Sequence, residues 1–223
     1  MIVAIHQPGF IPYLGFFHKW ANCDLFVFLD DVQYPRRQFV NRNKIKTPNG
    51  AKWITIPVKQ KGKYQQTITE TQADNKKEWV KKVLNSVKLN YAKAPYFHYV
   101  YTEFRDLLGG YNLSIMNVHL CRWMASELGL HLNTKRSSWL DGIEGASTER
   151  LISICKTVGA NTYLSGPSGK NYQDEKLFED AGIKVIYSSF KHPQYPQLWR
   201  EFIPNLSTLD LLFNCGPKSK DYL

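Results

Sequence analysis

The first 45 residues constrain this chain more than any other stretch. Ile2-Val-Ala-Ile5 is an unbroken apolar run, suited to a short buried strand, and it ends in the polar pair His6-Gln7. Pro8, Gly9 and Pro12 then turn the chain, and Leu14, Phe17, Trp20 and Ala21 recur at helical spacing. A second apolar run, Leu25-Phe-Val-Phe-Leu29, stops at the carboxylates Asp30-Asp31. Strand, loop, helix, strand is a βαβ unit, and such a unit implies a parallel sheet. In open α/β sheets the ligand crevice lies outside the carboxyl ends of the strands. His6, Gln7, Asp30 and Asp31 are therefore expected to meet at one rim.

The last third repeats the pattern. Thr148 to Val158 reads as an amphipathic helix, followed by the strand Thr162-Tyr-Leu164, a polar loop, a helix from Glu175 to Ala181 and the strand Ile183 to Tyr187. Two such units at the two ends of the chain imply that both ends share one sheet. Between them, Val40 to Ile45 and Lys52 to Val58 flank an Asn49-Gly50 turn, a strong hairpin signal, with Gln66 to Glu70 expected as a third strand. Helical periodicity follows from Lys77 to Tyr91, from Pro95 to Leu108, and from Ile115 to Leu128, the last with Asn112 as its cap. Ser207 is expected to cap a final short helix, Leu209 to Phe213. The expected architecture is one α/β domain: a Rossmann-like parallel sheet with a small antiparallel extension and a helical insertion. Its parts would be 1–75, with the first βαβ unit and a basic hairpin, 76–130, the helical insertion, and 131–223, the second α/β part.

Composition narrows the class. Apolar residues make up 43% of the 223, enough for a packed core without covalent staples. The four cysteines lie far apart and form no CxxC or CxxxH spacing, so neither a zinc site nor a disulfide framework is expected; Cys23, Cys121 and Cys155 read as small core residues within helices. No apolar run approaches the ~20 residues of a membrane helix, and the chain opens in a strand rather than a leader peptide. A reducing, cytoplasmic setting without membrane insertion is expected.

Charge is unevenly placed. Nine of the 29 basic residues (Arg36, Arg37, Arg42, Lys44, Lys46, Lys52, Lys59, Lys61 and Lys63) fall between Val32 and Thr69, where there is no Asp or Glu. The remaining twenty nearly balance the nineteen acids, so this segment carries almost all of the net +10. Such a field draws phosphates, a nucleotide-linked substrate or RNA. Arg36 and Arg42 stand among Gln33, Asn41 and Asn43 rather than among acids, which frees them for an anion. On an alternating strand Asn41 and Asn43 share one face, and Arg42 and Lys44 the other.

Further chemistry sits in two loops. His6 can accept a proton from an attacking amine or hydroxyl, with Asp30 or Asp31 as partner or alternative base; strand alternation lets only one of the two carboxylates face the crevice. Ser165-Gly-Pro-Ser-Gly-Lys-Asn-Tyr172 lies between a strand and a helix, where small residues let backbone N–H groups reach a phosphate, assisted by Lys170. The P-loop spacing is absent, and no cofactor and no metal is expected. Basic residues interleaved with Tyr34, Phe39, Trp53 and Tyr64 would also suit stacked RNA bases.

Three strings, IHQPGFIPYLGFFHKWANCDLFVFLDDVQY, FVNRNKIKTPNGAKWITIPV and TYLSGPSGKNYQDEKLFEDAGIKV, resemble the WbqC-like protein family, in order and through nearly the whole chain. The matching positions are His6, Gln7, Pro12, Asp30, Asp31, Gln33, Asn41, Arg42, Asn43, Ser165, Gly166 and Tyr172. The resemblance implies a cytosolic protein of surface-polysaccharide (O-antigen) biosynthesis. It also implies transfer of an aminoacyl group, such as glycyl, to a nucleotide-linked amino sugar. This reading and RNA binding coexist if the acyl donor is a charged tRNA. A looser similarity is to nucleotidyltransferases with an HxGH signature, but here Tyr13 and Phe16 stand where that signature has its histidines.

Overall fold

The computed structural model describes all 223 residues. In chain order the elements are β1 (Ile2–His6), α1 (Leu14–Ala21), β2 (Leu25–Phe28), β3 (Arg42–Thr47), β4 (Gly50–Thr55), α2 (Trp79–Tyr91), α3 (Phe97–Leu107) and α4 (Leu113–Glu127). The second half holds β5 (Thr134–Arg136), α5 (Ser147–Thr157), β6 (Thr162–Ser165), α6 (Glu175–Asp180), β7 (Lys184–Tyr187) and α7 (Thr208–Cys215).

Five strands form one parallel sheet in the order β5-β2-β1-β6-β7. The chain builds outward from β1 to β2 and β5 on one side, then crosses back to lay β6 and β7 on the other. This is the Rossmann-like arrangement, and the reversal falls between β1 and β6, where a crevice must open. Alternation along the strands divides the core. Ala4, Phe26, Phe28 and Leu164 face the larger core with Phe17 and Trp20 of α1, the hairpin, α2 to α4 and α7. Val3, Ile5, Leu25, Val27 and Tyr163 face the smaller one, covered by Leu151, Ile154 and Cys155 of α5 and Phe178 of α6. Apolar residues on both faces explain why β1 and β2 are unbroken apolar runs.

The expected caps are present: the Asn112 side chain accepts from the Ile115 N–H at 3.0 Å, and that of Ser207 from the Leu209 N–H at 3.2 Å. The expected small antiparallel extension is the β3–β4 hairpin, a separate two-stranded sheet packed on α2 and α7. Three other points differ from expectation. Gln66 to Glu70 is turn rather than strand; a lone bridge joins Thr67 to Gln33, and the Thr67 hydroxyl and N–H bond the Glu70 carboxylate, which closes the segment on itself. Edge strand β5 was unforeseen, because Thr134-Lys-Arg136 has no apolar residue to mark it. Cys23 lies in the turn after α1, although it is buried as expected.

Candidate functional site

The crevice at the β1–β6 reversal is a cleft of about 520 Å³. His6 and Gln7 at the end of β1 form one wall, and Gly166 and Tyr172 from the turn after β6 form another. Lys19 of α1 and Arg150 of α5 bring cationic groups to it. A smaller pocket of about 160 Å³ adjoins it and shares His6, Lys19 and Gly166.

The His6 ring is fixed by two contacts. Nδ1 lies 2.9 Å from the Gln7 carbonyl oxygen, which can only accept, so Nδ1 carries the proton and Nε2 keeps its lone pair. Phe16 of α1 stands edge-on to the imidazole at 4.9 Å between centroids. Surrounding protein disfavours the imidazolium, and the nearby Lys19 charge adds to this, so the His6 pKa is lowered to about 4. The ring is therefore neutral at physiological pH.

Lys19 was not singled out in the sequence. It sits in α1, a helix buried almost all round, and is itself only 4% exposed. Its ammonium donates to the Ile5 carbonyl at 2.8 Å and lies 5.7 Å from the Tyr163 ring. Of the four ion pairs in the protein, none includes Lys19. Burial lowers its pKa to about 8. A lysine inside a helix that is apolar but for His18 was the available signal, since such a residue is seldom buried without a reason.

The two carboxylates take different roles. Asp30 is fully buried and does not line the cleft. It accepts from Arg136 Nε at 2.6 Å, the Ser114 hydroxyl at 2.8 Å and the Ser138 N–H at 3.1 Å, and so ties β2 to β5 and α4. Asp31 is ion-paired to Arg150 and accepts from the Ser137 hydroxyl at 2.5 Å. It reaches the cleft only through Arg150. Neither is placed as the base.

The asparagines of β3 also serve the framework. Asn43 Nδ2 donates to the Ile11 carbonyl at 2.8 Å and the Phe10 carbonyl at 3.2 Å, and Asn41 Nδ2 to the Ile56 carbonyl at 2.8 Å. Ile11 has φ +41°, a strained value for a β-branched residue, so Asn43 holds a strained loop in place. Pro12 is buried in that loop, and Tyr13 at its end lines the cleft. Ser165 is buried, its hydroxyl 2.9 Å from Gln173 Oε1, while Lys170 lies over the Tyr187 ring at 4.8 Å.

Arg36, Arg42 and Lys44 lie on a different surface, while Lys46 is buried and donates to Gln197 and Glu201. The Arg42 guanidinium lies 4.3 Å and the Lys44 ammonium 5.0 Å from the Trp53 ring, and Arg36 lies 4.6 Å from that of Tyr64. Phe39 packs on Trp53, and Phe39, Trp53 and Tyr64 are all exposed. Gln33 holds the loop by donating to the Tyr64 carbonyl at 3.1 Å. Tyr34, in contrast, is buried and takes no part in this surface. No set of three or more His, Cys, Asp or Glu side chains is grouped to hold a metal ion. No helix is long and apolar enough to cross a membrane.

A doubly wound sheet with a polar cleft at its reversal defines an α/β protein whose cleft lies over the ends of β1 and β6, the position at which open α/β sheets take their ligands. The WbqC-like protein family model matches residues 7–222, and the chain belongs to that family. The uncharacterized protein Rv1507c of Mycobacterium tuberculosis (strain ATCC 25618 / H37Rv) is 38% identical, with 99% of this chain and 96% of that protein covered. No solved structure is significantly similar.

Proposed function

We propose that this protein transfers an acyl or aminoacyl group, such as glycyl, to the amine of a nucleotide-linked amino sugar, in the assembly of bacterial surface polysaccharide. The observation that carries this reading is the His6 ring: neutral, tautomerically fixed, and with Nε2 free in the cleft. In the transfer the amine nitrogen bonds the carbonyl carbon of an activated ester, and the carbon–oxygen bond of the ester breaks. His6 Nε2 takes the proton that the nitrogen loses and returns it to the departing oxygen. A base with a pKa of about 4 is too weak to strip a free ammonium, so it acts on the more acidic nitrogen of the tetrahedral adduct.

The test is amide formation from glycyl-tRNA and UDP- or dTDP-linked amino sugars, followed by mass spectrometry. His6→Ala is expected to lower turnover by roughly 10²–10⁴-fold, the range of general-base catalysis, with nucleotide-sugar affinity little changed. Equal turnover would remove His6 from the mechanism.

A second reading is favoured by the β3–β4 hairpin. None of its cations, nor any other in the basic segment, is ion-paired to a carboxylate, and three aromatic rings stand exposed among them. Such a surface suits single-stranded RNA, which stacks on aromatic rings and releases counterions. The two readings combine where the donor is a charged tRNA held by the hairpin. Binding of tRNA that weakens steeply with salt, and that is lost in Trp53→Ala, supports this surface. Salt-independent binding counts against it.

A further inference from the structure

We propose that the gap between β1 and β6 is an oxyanion seat, in which the Lys19 ammonium and the Gly166 N–H hold a phosphate or carboxylate group of the ligand. This deepens the transfer reading by naming the group that the cleft takes, and it stands on different residues.

The seat follows from where the sheet stops. Pairing of β1 with β6 ends at Ala4↔Leu164. The carbonyls of Ile2 and His6 face β2, since they accept from Asp24 and Leu29. Alternation turns the Ile5 carbonyl toward β6, where its next partner in the ladder would be the Gly166 N–H. That bond is not made. Lys19 takes the carbonyl instead, and the Gly166 N–H has no acceptor in the protein. The end of the ladder therefore leaves a backbone donor and a buried ammonium facing one cleft.

Charge gives the seat its ligand class. An ammonium has three donors, and the Ile5 carbonyl uses one. Taking this cation out of water without a counter-ion is costly, and an anion of the ligand removes that cost. Arg150 adds a second cation, held by Asp31, whose buried Nε has no partner. No carboxylate is directed at Lys19 to compete. The anion can come from the phosphates of a nucleotide-linked substrate or from the carboxylate of a free amino acid.

The experiment is calorimetric titration of the intact protein with inorganic pyrophosphate and, separately, with glycine. At least one is expected to bind, and Lys19→Met is expected to weaken it by roughly tenfold or more while the circular dichroism spectrum stays unchanged. The anion that binds identifies the source. Failure of both to bind, or equal affinity in folded Lys19→Met, overturns the seat. Should Lys19→Met not fold, sulfate binding to the wild type decides, because sulfate does not titrate. Affinity should fall several-fold from about pH 7 to about pH 9.5 as Lys19 loses its charge. The groups facing Lys19 are His6, already neutral, and Cys23, Tyr163 and Tyr13, whose pKa values are raised by desolvation so that they stay protonated. A flat profile overturns the seat. The His6 experiment reads turnover and this one reads binding of a bare anion, so either can fail without the other.

Discussion

The Lys19 ammonium lies 2.8 Å from the Ile5 carbonyl oxygen, at the point where β1 and β6 cease to pair. This contact places a cation at the reversal of the sheet, beside His6, and it links the two groups electrostatically. Lys19 is the second cause of the low His6 pKa, after desolvation by the surrounding protein.

Anion binding should therefore be felt at His6. An oxyanion on Lys19 offsets the charge that disfavours the imidazolium, so the His6 pKa should rise from about 4 toward the ordinary value of about 6.5. NMR titration of the His6 ring with and without pyrophosphate measures this. An unchanged pKa in the saturated protein would uncouple the two residues.

Lys19 also gives stability a pH dependence of known sign. Its folded pKa, about 8, lies below the ordinary value near 10.5, so the unfolded chain binds more protons between these limits. Stability from this residue is lowest below about pH 8 and rises as pH climbs toward 10.5. The difference in thermal midpoint between wild type and Lys19→Met should follow that course. His6 acts in the same sense at lower pH: stability is lost as pH falls from 6.5 toward about 4.

Asp30 should prove to be a stability residue. Asp30→Ala strands the Arg136 guanidinium, only 12% exposed, and frees the Ser114 hydroxyl. Breaking a buried pair in this way costs about 3–5 kcal/mol. Urea denaturation should show that loss, while variants destabilised less, such as Ser114→Ala, should keep full anion affinity. Loss of affinity in Ser114→Ala would bring Asp30 back into the site.

Asn43 should act at a distance through the strained loop. Asn43→Ala removes both donors to the Phe10 and Ile11 carbonyls, so Ile11 is free to leave its positive φ. Tyr13 lines the cleft at the end of that loop, and its contribution to ligand binding should weaken with it. A raised KM at nearly constant kcat is the expected signature, with a stability loss of about 1–3 kcal/mol.

Tyr91→Phe tests the buried junction of α2 and α7. The Tyr91 hydroxyl donates to Asp210 at 2.7 Å and accepts from the Lys46 N–H at 2.8 Å, and Tyr195 donates to the same carboxylate at 2.9 Å. Removing one oxygen leaves a buried carboxylate oxygen and an N–H short of partners, at about 1–3 kcal/mol. Thermal unfolding should show it without a change in cleft binding.

Much of the architecture is written in local pattern. The apolar runs Ile2–Ile5 and Leu25–Leu29, the turn between them and the caps Asn112 and Ser207 each act over a few residues, and the structure retains them. His6 and Gly166 were legible as residues of the crevice because strand ends in a βαβ sheet fix where a crevice opens. Strand β5 was not, since an edge strand with polar residues has no periodic signature. Nor could alternation tell whether the β3–β4 hairpin joins the main sheet, because which edge a hairpin meets depends on α2 and α7.

Sequence by itself determined the parallel sheet, its crevice and the concentration of positive charge, because periodicity, turn chemistry and composition are properties of neighbouring residues. Only the tertiary structure decided which polar groups meet in the crevice. It removed Asp30 into a network with Arg136 and brought Lys19 to the Ile5 carbonyl. The physical reason is that burial and pairing are set by partners far away in the chain. A carboxylate next to a strand end is structural or catalytic according to whether an arginine more than a hundred residues later reaches it.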